Sequence, residues 1–277
     1  MKCISKWGEN MKKKIGFIGA GKMAQAMIEG IIKSQLIPKE NVMASANSEK
    51  TIEIIKKTYG ILTTLNNREI AGYADILILA VKPELYVNVI KEIKNEIKPS
   101  AIIITIAAGI SLMDIEQSFG FQVKAVRTMP NTPSLVGEGM SAICANIYLD
   151  ESEISEVERL FHTFSKTERL DEKLMDAVPA ISGSSPAYVY MLIEAMADGG
   201  VRQGIPRDQA YRLAAQAVLG AAKMVLDTGK HPGELKDNVC TPGGATIEAV
   251  VTLEEKQFRG SITAAMESCT NKVKNLI

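Results

Sequence analysis

Short, predominantly apolar runs alternate with amphipathic segments along the first 170 residues of the chain. Such runs are expected for strands that a parallel sheet buries on both faces. They occupy residues 14–19, 41–45, 75–81, 101–107 and 123–129. Apolar residues at helical spacing predict helices over 22–35, 48–60, 83–97 and 151–164, and "ERL" (168–170) is a candidate last strand. Strands that alternate with helices predict a parallel sheet with helices on both faces.

From Glu172 onward the spacing is helical throughout, which predicts an all-α second domain. We therefore expect an N-terminal extension over 1–13, an α/β domain over 14–170 and a helical domain over 171–277. Ala and Gly are frequent in the predicted helix 207–228, and small side chains let helices approach closely. Such close contacts between helices would form either within the helical domain or against a second copy of the chain. We favour a homo-oligomer, because a small domain without a sheet leaves much surface to cover.

Composition and charge narrow the class of protein. Lys+Arg and Asp+Glu both number 32, so the formal charge is zero, which argues against binding to nucleic acid or to an anionic membrane. The longest apolar run, 101–110, is too short to span a bilayer, and residues 1–13 lack the apolar segment of a signal peptide.

The cysteines and histidines argue against metal chemistry. Four scattered cysteines without a CxxC pair predict a reduced, cytoplasmic protein without structural disulfides. They are Cys3, Cys144, Cys240 and Cys269. With only two histidines, His162 and His231, we expect no metal site and no histidine-based catalytic centre.

A glycine motif joins the first predicted strand to the first predicted helix. Gly19, Gly21 and Ala24 form Gly-x-Gly-x-x-Ala, in which the first Gly makes a tight turn and the second admits a pyrophosphate. The third small residue lets the helix pack on the strand, and the helix N-terminus faces the phosphates. The motif alone also fits a coincidental loop, but its strand–helix context favours a Rossmann-type dinucleotide-binding domain.

The end of the second strand, "ASANSEK" (44–50), indicates which nicotinamide cofactor binds. NAD-preferring sites carry an acid there for the ribose 2′-hydroxyl. Here Ser45, Asn47 and Ser48 are neutral and Lys50 is basic, so we expect NADPH to be preferred, with NADH possible. The pair Asn47-Ser48 also fits a simple helix N-cap, and both roles are compatible.

Lys82 follows the third predicted strand, at the sheet edge where ligands bind in open α/β sheets. The plain interpretation is an exposed lysine at a helix start. The functional interpretation is a lysine beside the cofactor, and we retain Lys82 as a catalytic candidate.

An ordered series of motifs extends over nearly the whole chain. The motifs are "FIGAGKMA" (17–24), "AVKP" (80–83), "AAG" (107–109), "RTMPNTP" (127–133), "SGSSPAY" (182–188), "ADGGV" (197–201), "GIPR" (204–207) and "HPGELKDNVCTPGGATIEA" (231–249). Together they resemble the pyrroline-5-carboxylate reductase family. The resemblance runs from Lys14 to Ile277. The family usually has Ser-Gly-Ser-Gly-Pro where this chain has Ser185 in fourth place, which leaves the geometry of that loop open.

The resemblance implies hydride transfer from NADPH to 1-pyrroline-5-carboxylate, and an intertwined dimer built by the helical domain. It also implies the cofactor contacts. They are Gly19, Gly21, Lys22 and Met23 at the pyrophosphate, Ser45 and Asn47 at the 2′-phosphate, Asn67 at the adenosine end, Ala80, Val81, Lys82, Pro83, Ile106, Ala107 and Ala108 at the nicotinamide half, and Asn238 at the junction with the substrate. Ala245 and Thr246 would contact the substrate, with Glu172 near it.

The stretch "CTPGGATI" (240–247) interrupts the helical region with residues that are costly in a helix. Thr241-Pro242 is typical of an N-cap and first turn, which predicts free amides at Gly243, Gly244 and Ala245. Such amides suit the substrate carboxylate. Thr246 would then orient the ring nitrogen and handle its proton, although an ordinary first-turn threonine explains the pattern equally simply.

Two other functions share this fold pattern. A β-hydroxyacid dehydrogenase would need a lysine on a helix just past the domain boundary, and no lysine occurs between Leu174 and Ala222. A nucleotide-binding sensor without turnover is the alternative from another class, and the intact "TPGGAT" stretch argues against lost substrate binding.

Overall fold

The computed structural model describes residues 11–275, which form two compact units. The first unit runs to Gly183 and includes the stretch from Thr270 on, and the second is Ser184–Cys269. Most of the predicted extension lies outside the described residues. Met11, however, is buried among core side chains of the first unit, and its N–H donates to the Leu36 carbonyl oxygen at 2.9 Å.

The first unit is built on an eight-stranded sheet of order β3-β2-β1-β4-β5-β6-β7-β8. The strands are β1 (Ile15–Ile18), β2 (Val42–Ser45), β3 (Leu62–Thr64), β4 (Ile76–Leu79), β5 (Ile102–Thr105), β6 (Lys124–Met129), β7 (Gly139–Ala145) and β8 (Ser165–Arg169). The first six are parallel, β7 runs antiparallel to β6, and β8 is parallel to β7. The predicted parallel sheet is therefore confirmed in its main part and ends in two reversed strands.

Helices cover both faces of this sheet, as predicted. They are α1 (Lys22–Ser34), α2 (Glu49–Tyr59), α3 (Asn67–Tyr73), α4 (Tyr86–Ile93), α5 (Leu112–Phe119) and α6 (Glu151–Phe161). Phe17 of β1 packs in the core with Ile28 of α1 and Leu160 of α6. The next residue of the strand, Ile18, packs in the opposite core with Ile90 of α4. The alternation of one strand between two cores explains why its sequence is uniformly apolar.

The helix expected over 83–97 is shorter than predicted. A 3₁₀ turn, Pro83–Leu85, with proline at its start precedes α4, which ends at Ile93. The apolar periodicity spans both elements, because the tighter turn still directs Tyr86, Val89 and Ile90 into the core.

The second unit contains only helices, as predicted. They are α7 (Ser185–Arg202), α8 (Arg207–Thr228), α9 (Pro232–Val239), α10 (Ala245–Glu255) and the greater part of α11 (Phe258–Lys274). The buried hydrophobic side chains of this unit are Ala197, Ala210 and Ala214 alone. Large apolar side chains instead remain accessible, among them Met191 at 69% and Leu226 at 82%. No helix within residues 11–275 is long and apolar enough to cross a membrane.

Candidate active site

The glycine turn between β1 and α1 has the predicted geometry. Gly19 adopts φ +97°, its N–H donates to the Ser45 carbonyl oxygen at 3.1 Å, and an added Cβ would lie 2.5 Å from the Ala80 carbonyl oxygen. Only glycine fits there. Gly21 is the N-cap of α1 with φ −70°, and a Cβ on it would meet no atom within 4 Å. Ala24 is buried against the core.

The N-terminus of α1 is suited to an anion. No side chain caps it, and its first turn has no acidic residue. The first amides of a helix lack partners within the helix, and the helix dipole favours negative charge there. Lys22 and Met23 supply two of these amides, beside the open space at Gly21.

At the end of β2, Ser45 holds Asn67 in place. Ser45 is 1% exposed, and its hydroxyl donates to Asn67 Oδ1 at 2.7 Å. Asn67 Nδ2 in turn donates to Glu92 Oε2 at 2.9 Å. This chain of side chains fixes the orientation of the Asn67 amide, a role for Ser45 that its sequence context did not indicate.

Asn47 and Lys50 are exposed just beyond β2. Between them Ser48 is the N-cap of α2, and its hydroxyl accepts from the Thr51 N–H at 3.3 Å. The N-cap explanation of this stretch is therefore confirmed, and it leaves both neighbouring side chains accessible.

The segments predicted to line the nicotinamide half follow two neighbouring strands. Ala80–Pro83 follow β4 and Ile106–Ala108 follow β5, and Leu79 pairs in register with both Ile18 and Thr105. Three strand ends, including the one that carries the glycine turn, therefore meet at one edge of the sheet. Ligands bind at this edge in open α/β sheets.

Lys82 is the N-cap of the 3₁₀ turn, and its side chain is 80% exposed. Its Nζ lies 4.0 Å from Glu84 Oε1. The structure thus shows an exposed lysine at a helix start, located at the carboxyl end of β4.

Glu172 is engaged in contacts within the first unit. One carboxylate oxygen accepts from the Leu112 N–H at 2.6 Å and lies 3.7 Å from an Arg127 nitrogen. Arg127 is 3% exposed and also pairs with Asp176. Burial, with the Glu172 charge, raises the pKa of the Cys144 thiol to about 11, so this cysteine is protonated at neutral pH. The group is an ion cluster in which two partly exposed carboxylates face the buried Arg127 of β6.

Two of the quoted motifs meet through Asn131, which is 8% exposed. Its Nδ2 donates to the Ser182 carbonyl oxygen at 2.9 Å, and its Oδ1 accepts from the Met140 N–H at 2.9 Å. Ser185 is the first residue of α7 and is not among the residues with positive φ. A side chain is therefore accommodated at this position without backbone strain.

The "TPGG" stretch has a different geometry from the one predicted. Thr241 is not the N-cap of a helix: its carbonyl oxygen accepts from the Gly244 N–H at 3.0 Å, which closes a four-residue turn. Pro242 is in second place and Gly243, with φ +66°, in third, as a type II turn requires. The N-cap is Gly244, and α10 begins at Ala245.

The free amides therefore lie further along the chain than predicted. The Gly244 amide is used by the turn, so the unpaired amides of the first helical turn are those of Ala245, Thr246 and Ile247. No side chain caps this helix either. The prediction was wrong about the cap because Pro242 fits the second place of a turn as well as the first place of a helix.

Thr246 differs from the other helical threonines of this unit. Thr228, Thr252 and Thr263 each donate to a carbonyl oxygen one turn back, at 2.6–3.1 Å. Thr246 lies in the first turn of α10, where no helical carbonyl precedes it. Among residues 11–275 its hydroxyl has no hydrogen-bond partner, so it is free to bind a ligand. Asn238 is exposed in the last turn of α9.

The sheet carries a glycine turn at an uncapped helix N-terminus, and an all-α unit follows it in sequence. This combination defines a dinucleotide-binding oxidoreductase. Residues 14–109 match the family model of F420-dependent NADP oxidoreductases, and residues 172–276 match that of pyrroline-5-carboxylate reductase dimerisation. The pyrroline-5-carboxylate reductase of Escherichia coli is 43% identical over 96% of this chain and 99% of its own length. The chain belongs to the pyrroline-5-carboxylate reductase family.

Solved structures agree with this assignment. The enzyme from Plasmodium falciparum, solved with NADP bound, superposes with a TM-score of 0.87 at 33% identity, covering 96% of this chain and 98% of that one. The enzyme from Coxiella burnetii gives 0.89 at 31% identity, covering 96% and 99%. The fold class and the family resemblance predicted from the sequence are thereby confirmed.

Proposed function

We propose that this protein reduces 1-pyrroline-5-carboxylate to L-proline with NADPH, the final step of proline biosynthesis. The observation that carries the proposal is the open glycine turn at the N-terminus of α1, in a chain similar over nearly its full length to named reductases. NADPH supplies the hydride. The protein contributes binding, orientation and electrostatics.

On the cofactor side, the amides of Lys22 and Met23 hold the pyrophosphate, which approaches the backbone at Gly21. Asn47 and Lys50 contact the 2′-phosphate, and the absence of a carboxylate at these two positions favours NADPH over NADH. Ala80–Pro83 and Ile106–Ala108 line the nicotinamide half. Lys82 acts there as an exposed cation near the cofactor.

On the substrate side, the amides of Ala245, Thr246 and Ile247 bind the carboxylate, and the turn made by Thr241, Gly243 and Gly244 presents them. The Thr246 hydroxyl orients the ring nitrogen and moves its proton through water. A protonated ring imine is already electrophilic, so a hydroxyl suffices where a ketone would need a stronger acid. Asn238 lies at the junction of cofactor and substrate. We assign Glu172 to the ion cluster with Arg127, because its carboxylate is engaged there.

Oxidation of NADPH in the presence of 1-pyrroline-5-carboxylate tests the assignment. Turnover that yields proline supports it. Turnover of a short β-hydroxyacid with NAD instead would assign the chain to the rival dehydrogenases, and NADPH binding without turnover would make it a sensor. Titration with both reduced cofactors measures the preference for NADPH.

The position of Gly244 leads to a prediction about substrate affinity. A Cβ at residue 244 would lie 2.4 Å from Thr241 Oγ1 and 3.1 Å from the Thr241 carbonyl oxygen, so the Thr241 side chain must rotate and the backbone of the turn must shift. We expect Gly244→Val to raise KM for 1-pyrroline-5-carboxylate at least about tenfold, because the carboxylate-binding amides move. Steady-state kinetics measures this, with the dissociation constant of NADPH as the control. A variant with the KM of the wild type would exclude the amide cradle.

We also propose that the helical unit forms an intertwined dimer. Few of its side chains are buried and many large apolar ones are exposed, which is typical of an obligate interface. The free thiols of Cys144, Cys240 and Cys269 accord with the cytoplasm as the proposed location.

A charge on the helical unit should dissociate this dimer. Leu213 in α8 is 61% exposed, and we expect Leu213→Glu to shift sedimentation velocity from dimer to monomer, because a carboxylate would be buried without a partner. Ile147, 90% exposed in the sheet unit, gives the matched control, since Ile147→Glu should sediment like the wild type. Dimers of unchanged affinity in the first variant would refute the proposed interface.

A further inference from the structure

Three hydrogen bonds connect the ends of β4 and β5, next to the segments predicted to line the nicotinamide half. The Ala107 N–H donates to Thr105 Oγ1 at 3.2 Å, and Thr105 Oγ1 lies 2.7 Å from the Tyr86 hydroxyl. The Tyr86 hydroxyl donates to the Leu79 carbonyl oxygen at 2.6 Å. Since the last bond uses the tyrosine proton, Thr105 must donate to Tyr86. The donors therefore all point the same way, from Ala107 to Leu79.

This chain of hydrogen bonds is buried. Tyr86 is 2% exposed and Thr105 is 0% exposed. Burial also raises the pKa of Tyr86, so its hydroxyl remains protonated, and remains a donor, at any pH at which the protein works. Thr128 Oγ1 donates to the Thr105 carbonyl oxygen at 2.8 Å, which ties β6 to the same point.

The two ends of this hydrogen-bond chain border the two segments that line the nicotinamide half in the proposed function. Leu79 immediately precedes Ala80, and Ala107 is itself part of the second segment. The hydroxyl of Tyr86 thus connects backbone groups on both sides of the nicotinamide site. Because Tyr86 is 2% exposed, its effect on a bound nicotinamide would act through these backbone groups.

We propose that Tyr86, acting through Thr105, is a positioning residue for the nicotinamide ring. The inference rests on the proposed function for the identity of the ligand. Without the hydroxyl, Leu79 and Ala107 lose their common partner, and the two backbone segments can separate. Hydride transfer depends steeply on the distance between donor and acceptor, so a small displacement reduces the rate.

The test compares Tyr86→Phe and Thr105→Val with Thr105→Ser, which retains the hydroxyl. We expect the first two to lower kcat about tenfold or more, and to increase the isotope effect with NADPH deuterated at the transferred position. Thr105→Ser should stay close to the wild type. The double variant Tyr86→Phe/Thr105→Val should be no slower than either single variant, because both substitutions interrupt the same chain of hydrogen bonds.

A binding measurement distinguishes positioning from general destabilisation. We expect Tyr86→Phe to weaken NADPH relative to adenosine 2′,5′-bisphosphate, which lacks the nicotinamide. The control is Tyr73→Phe, since Tyr73 also donates to a backbone carbonyl oxygen, that of Glu40 at 2.9 Å, away from this edge. All variants are measured at a temperature well below the midpoint of their thermal unfolding.

The proposal is overturned if Tyr86→Phe has the kcat of Tyr73→Phe, or if its affinities for the two ligands fall by the same factor. The ratio of affinities needs no turnover. A wild-type protein that fails to reduce 1-pyrroline-5-carboxylate would therefore count against the proposed function alone, and the ratio would still test the positioning role.

Discussion

Thr246→Ala is expected to lower kcat about 100-fold, with little change in the dissociation constant of NADPH. The reason is the free hydroxyl in the first turn of α10, which we assign to the ring nitrogen of the substrate. Loss of an interaction that strengthens in the transition state reduces kcat and kcat/KM together. Steady-state kinetics and a separate NADPH titration measure the two quantities.

Thr252→Ala is the matched control for this variant. Thr252 is in the same helix, but its hydroxyl donates to the Glu248 carbonyl oxygen at 3.1 Å. Its removal should leave kcat near the wild-type value, and Thr246→Ser should recover most of the activity. If Thr246→Ala turned over as fast as Thr252→Ala, the role assigned to Thr246 would be wrong.

Gly21→Val is expected to weaken NADPH binding about 10- to 100-fold while leaving the fold intact. The added side chain would occupy open space at the N-terminus of α1, and φ −70° is accessible to any residue. That space is where we place the pyrophosphate, and hydrogen bonds to charged groups contribute about 1.5–3 kcal/mol each. Fluorescence titration with NADPH measures the loss of affinity. The affinity of Gly21→Ala should lie between those of the wild type and Gly21→Val.

Gly72→Ala provides a control for this second prediction, because its added Cβ, 3.7 Å from the Glu96 carbonyl oxygen, is likewise accommodated without a clash but lies outside the proposed pyrophosphate site. Gly19 is unsuitable, since its positive φ and its contact with Ala80 make any substitution destabilising. NADPH affinity in Gly21→Val equal to that of Gly72→Ala would contradict the proposed pyrophosphate site.

The elements predicted correctly are those with a strong local signal. The strand before Gly19 has a continuous apolar run, and α1 has a helical period that begins at the glycine motif. β3 was missed because it has only three residues, half-exposed at the sheet edge. β7 was missed because Gly139 and Ser141 dilute its apolar pattern. Its reversed direction depends on pairing with β6, which no local pattern encodes.

The candidate site likewise contains some features that the local sequence indicates and others that it does not. The glycine turn is recognisable from local sequence because its chemistry is contained in consecutive residues. The hydrogen-bond chain through Tyr86 joins residues far apart in sequence, and a tyrosine at helical spacing resembles any core residue. At Thr241-Pro242 the local signals for a turn and for a helix start coincide, and only the backbone geometry distinguished them.

The central claim is tested most directly by mass spectrometry of the product formed from 1-pyrroline-5-carboxylate and NADPH that carries two deuterium atoms at C4 of the nicotinamide. We predict L-proline that carries one deuterium at the former imine carbon, formed only when enzyme is present. An enzyme that binds NADPH yet yields no deuterated proline would contradict the account.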